Sequence, residues 1–167
     1  NVSMHSKLPY DPVRDFAPVT TTTSSPYLFT VNPTVPATSI KEFVALAKAP
    51  GSKINYASAG SGGGNHLSQE LFKAITGVNM VHVPYKGAGA AITALVGNEV
   101  QLMMTTPPLS LPQVRAGRLR ALAYNFPSRA PFLPEVPTMQ EAGVQNMQMD
   151  ASWHGHASWH PFACSAP

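Results

Sequence analysis

The chain has 167 residues, of which 44% are hydrophobic and 11% charged, with a formal net charge of +3. That is long enough for one domain with its own core and too apolar for a disordered segment. The charge is mild and forms no dense Lys/Arg stripe, which argues against a nucleic-acid partner, and no apolar run approaches the ~18 residues of a membrane-spanning helix.

Residues 1–16 read as a polar N-terminal extension broken by Pro9 and Pro12, and no signal peptide is visible at Asn1. Segments 17–22 and 27–32, rich in Val, Thr, Tyr and Phe, are predicted strands. Residues 39–48 put Ile40, Phe43, Val44 and Ala47 on one helical face, with Thr38 or Ser39 as cap and Pro50-Gly51 as the stop. A strand over 54–57 precedes a helix over 66–76, capped by Ser61 or Asn65, with Leu67, Leu71 and Ile75 facing inward. A strand over 80–83 leads to a helix over 88–96 that Gly97 ends. A strand over 100–104 leads to a short helix over 109–116 ended by Gly117. A strand over 119–124 and a short helix over 138–142, closed by Gly143, complete the pattern. Arg115, Arg118 and Arg120 read as a solvated basic corner. Residues 151–167 are an atypical tail holding the near-repeat Ala151-Ser-Trp-His and Ala157-Ser-Trp-His, without helical or strand period. The lone Cys164 in it makes no internal disulfide.

Strands alternating with helices over short connections predict an α/β fold over residues 17–150. The expected form is a single layered lobe, with a mostly parallel sheet flanked by helices. In such sheets ligands sit at the carboxyl ends of the strands, beside the helix N-termini.

The most informative stretch is Lys53-Ile-Asn-Tyr-Ala-Ser-Ala-Gly-Ser-Gly-Gly-Gly-Asn-His-Leu. A strand, a glycine-rich turn and a helix start leave backbone N–H groups free to hold an anion. Ser58, Ala59, Gly60, Ser61 and Gly62 are predicted to form a wall of an anion site there. Lys86 is a flexible point charge suited to a carboxylate at the rim. No cofactor is expected for such a site, whose partner is a small organic acid or acyl compound.

Several blocks resemble the substrate-binding proteins of tripartite tricarboxylate transporters, the Bug family. They are Leu8-Pro-Tyr-Asp-Pro-Val-Arg-Asp-Phe-Ala-Pro-Val, Asn55-Tyr-Ala-Ser-Ala-Gly-Ser-Gly with His66-Leu, and Val81-His-Val-Pro-Tyr-Lys-Gly. They continue with Gln101-Leu-Met, Val114-Arg-Ala-Gly-Arg-Leu-Arg-Ala-Leu-Ala, and Leu133-Pro-Glu-Val-Pro-Thr-Met-Gln-Glu-Ala-Gly. The resemblance implies a periplasmic-binding-protein fold of type II kind, a periplasmic location, and a small organic acid held between two lobes. This chain resembles the second lobe alone. The resemblance also implies that the turns at Ser58–Gly62 and Tyr85–Gly89 face the bound carboxylate, which makes Tyr85, Lys86, Gly87 and Ala88 the second wall of the site. Family members commonly carry Phe-Asp-Asn after the Gln-Leu-Met strand; here Met104-Thr105-Thr106 stands instead, which leaves Thr105 as the ligand-facing candidate without an acidic group. Apolar surface meant for the missing lobe makes self-association an expectation.

Two other chemistries fit the same residues. Ala59-Gly60-Ser61-Gly62-Gly63 approximates a nucleophile elbow with Ala in the first position, so Ser61 with His66 or His82 as base could cleave an ester or lactone. His154, His156 and His160 have the spacing of ligands for a divalent metal such as zinc. A fragment without activity is the third possibility.

Overall fold

The computed structural model describes residues 9–11, 14–24, 26–147 and 153–159. The chain divides into two compact units, residues 25–151 and a unit built from 1–24 with 152–167. In the smaller unit, β1 (Phe16–Ser24) pairs antiparallel with β7 (Trp153–Trp159), Phe16 lying opposite Trp159 and Ser24 opposite Trp153. A strand at 153–159 corrects the sequence reading of a tail without period. Its partner lies more than a hundred residues away, so no local pattern encodes it.

The larger unit holds β2 (Tyr27–Val31), α1 (Ile40–Lys48), β3 (Asn55–Ser58), α2 (Gly64–Thr76) and β4 (Val81–Pro84). It continues with α3 (Ala88–Val96), β5 (Leu102–Thr105), α4 (Pro107–Arg115) and β6 (Arg120–Asn125). One five-stranded sheet has the order β4-β3-β5-β2-β6. Strand β3 runs parallel to β4 and β5, whereas β2 is antiparallel to both β5 and β6. Four strands therefore share one direction and β2 alone opposes them, the mostly parallel layered α/β arrangement that the alternating elements predict.

Side chains alternate along each strand, so neighbouring residues serve opposite faces. Phe29, Tyr56, Leu102 and Met104 pack under α1 and α2, with Phe43 5.1 Å and Phe72 4.9 Å from the Phe29 ring centroid. Ala57 and Met103 pack on the other face against Ala91, Leu95 and Val114 of α3 and α4. Helix α1 is capped by Ser39, whose Oγ accepts from Glu42 N–H at 3.2 Å, while the Glu42 carboxylate accepts from Thr38 N–H at 2.7 Å. Two orphan donors are thereby satisfied reciprocally.

Three further expectations are corrected. Helix α2 starts at Gly64 with Gly63 as N-cap, and its buried residues are Asn65, Ser68, Gln69 and Phe72; of the predicted inner face, Leu71 is half-buried against the core as expected, Leu67 is half-buried, and Ile75 is exposed. Phe72 completes the ring cluster and Gln69 bonds inside the sheet, which turns Ile75 outward to 39% exposure. The short helix expected at 138–142 is a single turn. Thr138 instead bridges to Tyr124, whose N–H donates to Pro137 O at 2.8 Å, so the segment extends the sheet edge before turning. Arg120 is half-buried rather than solvated, and donates to Ala37 O at 2.9 Å.

Candidate functional site

Because β3, β4 and β5 are parallel, the turns into α2, α3 and α4 open on one edge of the sheet. The first intrahelical bonds are Leu67 N–H to Gly63 O at 3.0 Å and Ala91 N–H to Gly87 O at 3.2 Å. The backbone N–H groups of Gly64 and Asn65, and of Ala88, Gly89 and Ala90, thus lie at helix starts without intrahelical partners. The third helix start differs. Pro107 and Pro108 have no N–H, and Leu109 N–H already donates to Thr106 O at 3.1 Å. The edge has two donor-rich turns and one silent one.

The two donor-rich turns are joined. Tyr85 N–H donates to Ser58 O at 2.9 Å and Gly87 N–H to Ala59 O at 3.2 Å, continuing the β3–β4 ladder past the strand ends. Gly60 (φ 139°) and Gly87 (φ 101°) adopt backbone that side-chain-bearing residues rarely take. A Cβ at Gly60 would stand 4.0 Å from Tyr85 O, in ordinary contact, so torsional strain rather than clash requires glycine there. The structure therefore brings Ala59, Gly60, Tyr85, Gly87 and Ala88 together. Lys86 is exposed and makes no hydrogen bond or ion pair among the described residues. Ser61 is exposed too, and Thr105 sits buried at the end of β5, one strand over from β3.

Ser58 is fully buried and faces inward. Its Oγ lies 2.6 Å from His82 Nε2, accepts from Gly60 N–H at 3.2 Å and donates to Gly60 O at 3.1 Å. The Ser58 hydroxyl thus has partners on both sides, and which atom donates in the contact with His82 follows the imidazole tautomer. His66 Nδ1 accepts from Gly62 N–H at 3.0 Å. The two imidazoles stack with centroids 3.9 Å apart, and the Tyr56 ring stacks 5.0 Å from His82. The Tyr56 hydroxyl donates to Glu70, which also accepts from Lys73 Nζ at 2.8 Å. Burial and then the neighbouring His66 hold His82 below the ordinary imidazole pKa. Burial raises Glu70, but the hydrogen bonds from Lys73 and Tyr56 outweigh it and hold the carboxyl below its ordinary value. Burial, then Glu70, raises the Tyr56 phenol.

These contacts rearrange the hydrolase geometry expected from the elbow-like motif. Neither His66 nor His82 hydrogen-bonds Ser61; one is bonded to Gly62 and the other to Ser58. The proposed metal ligands lie elsewhere: His160 falls outside the described residues, and of His154 and His156 only the backbone, in β7, is described. Among the described residues no group of three or more His, Cys, Asp or Glu side chains could hold a metal ion. Tyr56, Glu70 and Gln69 were not singled out from the sequence. Tyr56 lies opposite His82 in the β3–β4 register, so a register assignment for the two strands would have flagged that pair.

Beyond β6, on the same edge, lies a 220 Å³ cavity lined by Asn125, Phe126, Met139, Gln140, Asn146 and Met147. Carboxamides, thioethers and a ring line it, and no charged side chain does. In the described residues no helix is long and apolar enough to cross a membrane.

Residues 2–158 match the profile of the tripartite tricarboxylate transporter family receptor. The Protein BugT of Bordetella pertussis is 34% identical over 142 residues, which are 85% of this chain and 44% of that protein. A solved Rhodopseudomonas palustris protein, Rpa4515 with adipate, superposes with a TM-score of 0.79 at 35% identity, covering 93% of this chain and 50% of the other. MatC of Rhodopseudomonas palustris with bound malate gives 0.78 at 32% identity, covering 86% of this chain and 49% of that one. The chain spans about half the length of the curated relatives it matches.

Proposed function

This chain belongs to the tripartite tricarboxylate transporter receptor family, and on that premise we propose that it binds the carboxylate end of a small organic acid at the two joined glycine turns. One observation carries the reading: β3 and β4 end in turns tied by the Tyr85–Ser58 and Gly87–Ala59 bonds, so the open N–H groups of α2 and α3 are held side by side. Aligned helix starts favour an anion there. Ala59, Gly60, Ser61 and Gly62 form one wall, and Tyr85, Lys86, Gly87 and Ala88 the other, with exposed Lys86 as the mobile counter-charge. Ser58 supports the first wall from beneath through its bonds to Gly60. Thr105 lines the site from the end of β5. The adipate and malate held by solved relatives support a dicarboxylate as the class of ligand. A periplasmic location and delivery to a transporter follow from the same family membership.

Calorimetric titration with adipate and malate tests the site. Wild-type chain is expected to bind at least one of them, and Gly60→Val to lose more than tenfold in affinity while its circular dichroism stays unchanged. Equal affinity in the variant removes the glycine turn from the site.

A further inference from the structure

Hydrogen bonding along the glycine turn alternates from one residue to the next. Gly60 N–H donates to Ser58 Oγ at 3.2 Å, and Gly62 N–H to His66 Nδ1 at 3.0 Å. The N–H groups of Ser61 and Gly63 make no hydrogen bond among the described residues. Exposure follows the same alternation: Ser61 and Gly63 are exposed, Gly60 and Gly62 half-buried. We infer that the Ser61 and Gly63 N–H groups are the turn's own donors to the bound carboxylate, and that His66 is the positioning residue that keeps them presented by tying down Gly62 between them. The inference rests on the carboxylate reading above and says which atoms of that site hold the ligand and what sets them.

His66 belongs to the first turn of α2, so the helix itself carries the acceptor that holds the loop leading into it. A backbone N–H only donates, so the contact requires Nδ1 without a proton, as in the neutral ring protonated on Nε2. The ring has little freedom to leave this position. Its centroid is 3.9 Å from that of His82 in β4, and His82 in turn lies 5.0 Å from the Tyr56 ring in β3. His82 Nε2 is also 2.6 Å from Ser58 Oγ, the group that holds Gly60. Both ties on the turn therefore lead back to one stack of rings between β3, β4 and α2.

Such ties matter most where the backbone is least restrained. Gly60, Gly62, Gly63 and Gly64 would leave an untied turn free to sample many conformations. Ordering it at the moment of binding would subtract from affinity, whereas a turn fixed in the free chain is already arranged for its ligand. The committed donors are also poor ligand contacts. Turning Gly62 N–H to a carboxylate would strand the half-buried His66 Nδ1 without its partner, so little is gained by the exchange. The uncommitted N–H of Gly63 stands next to those of Gly64 and Asn65, which have no intrahelical partners, and the three make a run of successive donors of the kind that holds anions. Gly63, absent from the residues singled out in the sequence, thereby joins the site.

Nuclear magnetic resonance at about pH 8, where an ordinary imidazole is neutral, maps the contact on the wild-type chain. On addition of adipate the Ser61 and Gly63 amide protons are expected to move downfield, the sense of a new bond to a carboxylate, while those of Gly60 and Gly62 move little. A displacement led by Gly60 or Gly62 overturns the assignment. Calorimetry with adipate then tests the positioning role in two variants. His66→Phe keeps a ring against His82 but has no acceptor, and is expected to bind roughly threefold to tenfold more weakly than wild type. His66→Asn loses the ring but places a carboxamide oxygen near the Nδ1 position, and is expected to stay within about twofold of wild type. A side chain that served packing alone would give the opposite order. Affinity kept in His66→Phe, or lost equally in His66→Asn, overturns the positioning role. Heat from the wild-type chain with a contradictory amide map removes this inference and leaves the carboxylate reading standing. No heat from either adipate or malate removes both.

Discussion

Gln69 replaced by leucine tests what holds the glycine turn in place. The bonds from Val81 N–H to Ile54 O and from Tyr85 N–H to Ser58 O show that alternate β3 carbonyls face β4, so the Ala57 carbonyl faces β5. There the ladder lapses, the β3–β5 pairing being recorded only at Tyr56 and Leu102. The fully buried Gln69 side chain fills the gap: Nε2 donates to Ala57 O at 2.9 Å and Oε1 accepts from Met104 N–H at 3.1 Å. Leucine has similar bulk and neither function, so two buried backbone groups lose their partners. At about 1–3 kcal/mol for each unsatisfied group, the expected loss is about 2–6 kcal/mol, a large fraction of the roughly 5–15 kcal/mol of a whole domain. Urea unfolding followed by circular dichroism is the assay, and the midpoint should fall by roughly 1–3 M with the slope unchanged. A loss under about 0.5 kcal/mol would show that water or a closed ladder replaces the amide, and would refute the view that this side chain splices the two strands.

Two further expectations concern the same helix and its surroundings. Phe72→Ala should cost about 3–5 kcal/mol because its ring fills the space beside Phe29 and Phe43, while Ile75→Lys should stay within about 0.5 kcal/mol; the reverse ranking in urea midpoints would restore Leu67, Leu71 and Ile75 as the inner face. Stability should also fall with acid in two windows. His82 lies below its ordinary 6.5 in the folded state, so the unfolded chain takes the proton first, and stability present above 6.5 is lost as pH falls through the lowered folded value. Glu70, held below its ordinary 4.5, repeats the loss below that pH, and His82→Gln should abolish the first window alone. A flat urea midpoint between about pH 7 and pH 5 would show that burial of His82 carries no linkage.

What was legible in the sequence is what local chemistry decides. Ser39 caps α1 as its hydroxyl and the following apolar spacing predict, and α3 runs over the residues predicted, between Gly87 and Gly97. The glycine turn, the Tyr-Lys-Gly turn and the alternation that makes the sheet mostly parallel are all short-range patterns. What was not legible depends on partners far along the chain. The inner face of α2 includes Ser68 and Gln69, polar residues that hydropathy assigns to solvent, and Gln69 is inside because β3 and β5 part above Tyr56. The stacking of His66 on His82 joins a helix start to the next strand, and the spacing of either histidine carries no trace of the other. The β1–β7 pairing joins segments from the two ends of the chain.

The sheet edge has a polarity that bears on how a ligand lies across it. Strand β2 opposes its neighbours, so at this edge it begins where they end and brings no helix start. To one side of it, β3 and β4 lead into α2 and α3 with open N–H groups; immediately beside it, β5 leads into a helix whose first two residues are prolines and offer no donor. To the other side, β6 leads to Asn125 and Phe126 and a cavity without charged lining. Three strand spacings, about 14 Å at the usual interstrand distance, separate β3 from β6. Anion-attracting groups are thus confined to one side of the edge, and an acid whose carboxylate sits at the glycine turns would meet only amides and apolar groups in the direction of β6. A second carboxylate on the same molecule would therefore be best accommodated by pointing away from the sheet edge rather than along it, and adipate's length against malate's is the comparison that exposes this. If the longer acid points away from the edge, its affinity relative to malate should be the same in Asn125→Ser and Phe126→Ala as in the wild type; a loss in either variant would lay the acid along the edge toward β6.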